Sequence, residues 1–136
     1  MVEEILDNDV LLAIIIRSGF KKDGIQFFTP SHFSQQLGYM NRSKGYKIDA
    51  HSHRLVERKV SVTQEVLIVR SGSFKIEIFD SKQQFVKEAV LYTGDTILLA
   101  SGGHAIEMLE DTELIEVKQG PYTSDDDKVK FSSNPQ

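Results

Sequence analysis

Short segments in which apolar and polar residues alternate, each closed by a glycine or polar turn, recur through the second half of this chain and restrict it to a β-sheet architecture. Over 46–53, Ile48 and Ala50 alternate with Asp49, His51 and His53. Residues 65–70 and 74–79 flank Ser71-Gly72-Ser73, which reads as a hairpin turn. Further strands are expected over 85–92, 96–99, 104–109 and 113–118, each preceded by a turn rich in glycine or charge. Towards the start, 10–17 is apolar on both faces, as in a strand buried on both sides or lying at a subunit interface. Residues 25–28 read as a short strand, and 54–63, with clustered charges, as an insertion or hairpin. Little helix is expected: residues 1–9 form an arm or short helix, and 31–37 one turn with Ser31 as N-cap. About nine strands joined by turns imply an all-β sandwich or barrel.

A chain of 136 residues supports one core. The expected organisation is a single domain over 1–122 followed by a polar, loosely held tail over 123–136. A net charge of −4 without a long Lys/Arg run argues against a nucleic-acid partner. The absence of cysteine removes disulfides, thiolate nucleophiles and iron–sulfur clusters from consideration. The apolar run 10–16 is far shorter than the roughly 20 residues of a membrane helix. It follows Glu3, Glu4, Asp7 and Asp9 rather than a basic segment, so no membrane partner is expected and the location expected is cytoplasmic. The same run is too apolar for an exposed edge. It predicts a homodimer in which the run pairs across a two-fold axis or covers the barrel.

The residues with the most chemistry are three of the four histidines and one carboxylate. His51 and His53, at i and i+2 of an extended segment, point to one face. Glu65 opens a strand that ends at Gly72, and His104 follows a glycine pair. Imidazole and carboxylate donors without thiolates suit a divalent ion such as iron, manganese, zinc or nickel. Four such ligands on an octahedral ion leave two positions for substrate oxygen or water. The plainer reading makes the histidines polar residues at a strand end and Glu65 a solvated charge. Tyr39, Tyr46 and Arg54 are expected to line a ligand site beside them, although aromatic residues in such places also serve packing and an arginine in a loop is commonly solvated.

These residues fall into a pattern that resembles the cupin superfamily. Gly45, five residues, His51-x-His53, a spacer, then Glu65, six residues and Gly72 resemble the first cupin motif; the spacer is longer than the family's. Gly94 with five residues before Ala100-Ser101-Gly102 and His104 resembles the second motif, with alanine in place of proline and one residue fewer before the histidine. Residues 36–40 and 115–122 are similar to segments of small single-domain cupins of bacterial surface-polysaccharide gene clusters, loosely termed mannose-6-phosphate-isomerase-like. The resemblance implies a cupin-type antiparallel double-sheet jelly-roll barrel, a divalent metal on His51, His53, Glu65 and His104, and a sugar-related context.

The function expected from these readings is metal-dependent isomerisation or epimerisation of a small sugar-derived substrate, with Glu65 as acid/base. Two alternatives stay open: a non-catalytic module that captures a sugar or metabolite, and an iron-dependent oxygenase.

Overall fold

The computed structural model describes residues 1–122 and 128–132. It is all-β, with ten strands and no helix among the described residues. The chain divides into two units: residues 1–20 with those from 63 onward, and residues 21–62.

In the first unit, β1 (Val2–Asp7), β2 (Val10–Ile16), β8 (Thr96–Leu99), β5 (Glu65–Ser71) and β10 (Glu113–Lys118) form an antiparallel sheet in the order β1-β2-β8-β5-β10. A second antiparallel sheet has the order β7-β6-β9, with β6 (Ser73–Phe79) between β7 (Phe85–Tyr92) and β9 (Gly103–Met108). Leu67, Val69, Ile97 and Leu99 of the larger sheet share one buried cluster with Phe74, Ile76, Ile78 and Leu91 of the smaller one. The period-two alternation of β5 and β6 supplies these side chains, so burial of apolar area holds the two sheets face to face. The second unit carries the two-stranded sheet of β3 (Gly24–Phe27) and β4 (Gly38–Asn41).

The acidic start is neither arm nor helix. It is β1, joined to β2 by Asn8 and Asp9, both at positive φ (47° and 68°) as a two-residue hairpin turn requires. The doubly apolar run is an interior strand: β1 and β8 occupy its two edges, and Leu12, Ala13, Ile14 and Ile15 are buried on alternating faces. It therefore offers no free edge to a second copy, and a homodimer needs another surface.

Ser71-Gly72-Ser73 is a corner rather than a hairpin. β5 pairs with β8 and β10, whereas β6 pairs with β7 and β9, so the chain crosses from one sheet to the other at Gly72. Gly72 has φ 88°, and a Cβ there would lie 2.4 Å from the Asp111 carbonyl oxygen, which restricts the corner to glycine. The segment 31–37 contains turns and bends without helix, and no strand forms between 42 and 64, including the expected strand over 46–53. Alternation permits a strand there, but a strand also needs a partner for its backbone N–H and C=O groups. The expected loosely held tail lies outside the described residues at 123–127 and 133–136. Within it, Phe131 packs edge-on against Phe79 with ring centroids 5.0 Å apart.

A polar linkage ties the two sheets. Asp95, 3% exposed, accepts hydrogen bonds from the backbone N–H of Ser18 (2.8 Å) and of Tyr92 (2.9 Å) and from Nη1 of Arg17 (2.9 Å). Arg17 also donates to the Val90 carbonyl (2.7 Å) and to the carboxylate of Glu3. The linkage thus joins β1, the end of β2, β7 and the turn into β8. Truncating Asp95 leaves two backbone N–H groups without their acceptor and removes one of the acceptors of Arg17, which keeps Glu3 and the Val90 carbonyl. Asp95→Ala is expected to lower unfolding free energy by about 1–3 kcal/mol, read as a shift of the urea midpoint. The hydrogen bond from Arg17 holds the Glu3 carboxyl below its ordinary pKa of 4.5. A depressed carboxyl contributes stability above that ordinary value and loses it as pH falls through the folded value. Glu3→Gln should therefore flatten the acid limb of the stability–pH curve and leave its slope at neutral pH unchanged.

Candidate functional site

Glu65 begins β5, where the pairings Glu65↔Leu99 and Lys118↔Glu65 hold its backbone between β8 and β10. Its side chain shares the inward face with Leu67 and Val69, both buried. His104 is the second residue of β9 and lies opposite the buried Ile78 of β6, so its ring is on the core-facing side of the smaller sheet. The two side chains meet: His104 Nε2 is 3.5 Å from Glu65 Oε2. One sheet supplies the carboxylate and the other the imidazole. Glu65 is the more enclosed, with its side chain 14% exposed against 33% for His104.

The turn before β9 sets where His104 begins. Gly102 has φ 74°, and a Cβ on it would lie 2.1 Å from the Phe79 carbonyl oxygen. Only glycine allows this turn to pass that close to β6. The pair opens on a cavity of about 500 Å³ whose lining includes Thr63, Gly103, Lys118, Lys128, Lys130 and Phe131. The sequence pointed to neither Lys118 nor the tail lysines. Lys118 reaches the site because β10 pairs with β5, two strands far apart in the chain, and period-two alternation alone does not specify that register. Among the described residues, the lining thus includes one glutamate, one histidine and three lysines. It suits an anionic ligand that also exchanges a proton at Glu65 or His104.

His51 and His53 belong to the second unit. They lie in the strandless stretch, both exposed, with ring centroids 5.3 Å apart and interplanar angle 70°. The i, i+2 spacing thus does bring the two imidazoles side by side. Nδ1 of His51 is 2.8 Å from the Asp49 carbonyl oxygen, an arrangement that suits an Nδ1–H donor and leaves Nε2 as the lone-pair nitrogen. Among the described residues no group of three or more His, Cys, Asp or Glu side chains is gathered where it could hold a metal ion. The expected four ligands therefore occur as two pairs, each with the donor chemistry of a borderline divalent ion and each short of a complete set.

Of the expected ligand-site residues, Tyr39 is half-buried on β4 opposite Gln26. Tyr46 is exposed and lies under the guanidinium of Arg42, 4.4 Å from the ring centroid, so its face is engaged in a cation–π contact. Arg54 is exposed beside His53.

No protein-family model matches the chain, and neither a curated protein nor a solved structure matches it.

Gly102→Ala tests how the site is positioned. The added methyl group meets a backbone oxygen at a positive φ, so a cost on the order of 1–3 kcal/mol is expected in urea unfolding. It should be accompanied by changed NMR shifts of the His104 ring, and unchanged His104 resonances would show that the turn does not position the imidazole.

Proposed function

We propose that this protein is a metal-binding enzyme of the cupin type, with a double-sheet jelly-roll barrel, that acts on a small, anionic, sugar-derived substrate by isomerisation or epimerisation. The observation that carries the reading is the Glu65–His104 pair, supplied by different sheets, at a cavity bordered by lysines. In this reading Lys118, Lys128 and Lys130 attract and orient the negative end of the substrate. Glu65, the more enclosed of the pair, removes a proton from a hydroxyl-bearing carbon next to a carbonyl and returns it to the former carbonyl carbon, while the hydroxyl proton passes from one oxygen to the other, which completes an isomerisation. His104 stands next to that carboxylate, where it orients it and can donate a hydrogen bond to substrate oxygen. A divalent ion bound by these residues would polarise the carbonyl as a Lewis acid. Glu65 and His104 would then be two of its ligands, with His51 and His53 as the others, and Glu65 would act as acid/base on leaving the ion.

A second reading has one observation in its favour: Glu65 and His104 lie close enough to act as each other's polar partner. In that case the cavity captures a sugar-derived anion without turning it over.

Two measurements separate the readings. Elemental analysis of untagged protein purified without chelators should show a first-row divalent metal near one per chain, lost in His51→Ala/His53→Ala and in Glu65→Gln. Metal-loaded protein assayed against a panel of sugar phosphates and nucleotide sugars should turn one over, with Glu65→Gln slower by about 10²–10⁴-fold. Tight binding of one panel member with no turnover and no metal would establish the capture module instead.

A further inference from the structure

The strandless segment from 42 to 62 and the free margin of the first unit have matching deficits. Every residue from 42 to 63 is exposed, including Tyr46, Ile48, Val56, Val60, Val62 and Leu55, the last at 104% of its reference area. Among the described residues, no backbone group between 47 and 62 takes part in a backbone–backbone hydrogen bond. A structureless stretch of this length with this many apolar side chains is unusual in a compact fold unless something covers it.

The margin with the complementary deficit is built by β9 and β10. They are edge strands of the two sheets and follow one another in the chain through residues 109–112. At the far end His104 of β9 meets Glu65 of β5, the strand that pairs with β10. On β9, Ile106 and Met108 share the core-facing row with His104. Their cross-strand partners Ile76 and Phe74 are fully buried, yet they are 37% and 51% exposed themselves. Among the described residues, the core face therefore continues past β6 onto β9 and is left open at Ile106 and Met108, beside a strand edge with no paired strand.

Charge points to the occupant. Residues 42–62 carry six cations (Arg42, Lys44, Lys47, Arg54, Arg58, Lys59) against two carboxylates. Residues 103–118 carry five carboxylates (Glu107, Glu110, Asp111, Glu113, Glu116) against one lysine. The two segments are opposite and equal in net charge, in a chain whose overall charge is negative, so each is suited to the other on a second copy.

We propose that residues 42–62 of one copy dock on the β9–β10 margin of a second copy, where 46–53 becomes a strand on the free edge of β9, and that the exchange is reciprocal about a two-fold axis. With the histidine face of that strand turned inward, the partner's His51 and the partner's His53 come beside His104 and Glu65, and the four-ligand set is completed between copies. The consequence for the ligand set rests on the metal reading above; the docking itself does not. Strand addition provides backbone partners for the segment and covers Ile106 and Met108.

The chain has no cysteine, so introduced pairs report contacts without background. With His51 and His53 facing inward, Ala50 and Ser52 face outward, as Ala105 does on β9. Full-length Ser52→Cys is co-expressed with Ala105→Cys, and Ala50→Cys with Ala105→Cys, then oxidised mildly and run on non-reducing gels. Glu107→Cys, exposed on the same face, replaces Ala105→Cys if that variant does not fold. A covalent dimer from at least one mixture, with each variant alone remaining a single chain, is expected. A link that closes within one chain of the Ser52→Cys/Ala105→Cys double variant, a link from Ser52→Cys alone, or no link in any combination overturns the exchange. Introducing His51→Ala/His53→Ala into the linked pair separates the two readings: an unchanged link with unchanged metal content refutes the ligand assignment and leaves the exchange standing.

Discussion

The Arg17–Asp95 linkage is the constraint on which the arrangement of the first unit depends. Apolar burial brings the two sheets together but is non-directional, and many relative placements of two such faces bury similar area. Asp95 removes that freedom because its two carboxylate oxygens accept from Arg17 and Ser18, just after β2, and from Tyr92, at the end of β7 in the other sheet. Arg17 extends the same restraint to Val90 and Glu3. A buried ion pair adds little net stability over a well-packed apolar substitute. Its effect is on specificity, since any other placement of the sheets strands a charge in the interior. The Asp95 carbonyl also accepts from the Val69 N–H and the Gly94 N–H donates to the Val69 carbonyl, so the turn before β8 is registered against β5, the strand that carries Glu65.

The candidate site inherits its precision from that frame. Glu65 and His104 are 39 positions apart in the chain and sit on different sheets, so their 3.5 Å approach depends on the spacing between the sheets. Gly102 permits the turn that starts β9 at the correct residue, and β6 pins the rest of β9 by its register. A one-residue slip of β9 would turn His104 to the outer face and remove the pair altogether. The lysines are less constrained. Lys118 belongs to an edge strand, and Lys128 and Lys130 reach the cavity through a tail whose described part is held by Phe131 against Phe79.

Period-two alternation and glycine punctuation made the all-β class legible, and strands from 65 to 118 formed close to where the pattern put them. They also placed Glu65, Leu67 and Val69 on one face, and His104 with Ile106 and Met108 on another, as the registers show. Alternation says which side chains share a face but not which strand lies alongside. Alternation alone therefore suggests a hairpin at Ser71-Gly72-Ser73, where the structure has a corner between sheets, and an arm or short helix at the charged start, where it has β1. The same limit applies to 46–53, where the alternation is clear and no partner strand is present.

Backbone period and side-chain type were enough for the β-class, for the faces shared by Glu65, Leu67 and Val69 and by His104, Ile106 and Met108, and for the donor chemistry of His51, His53, Glu65 and His104. Folding in three dimensions settles that Glu65 and His104 meet, that lysines border their cavity, that the apolar run 10–16 is an interior strand, and that the core-facing row of β9 is left open among the described residues. Each of these depends on which distant segments pair, and pairing is selected by the energy of the whole packed sheet rather than by any local pattern.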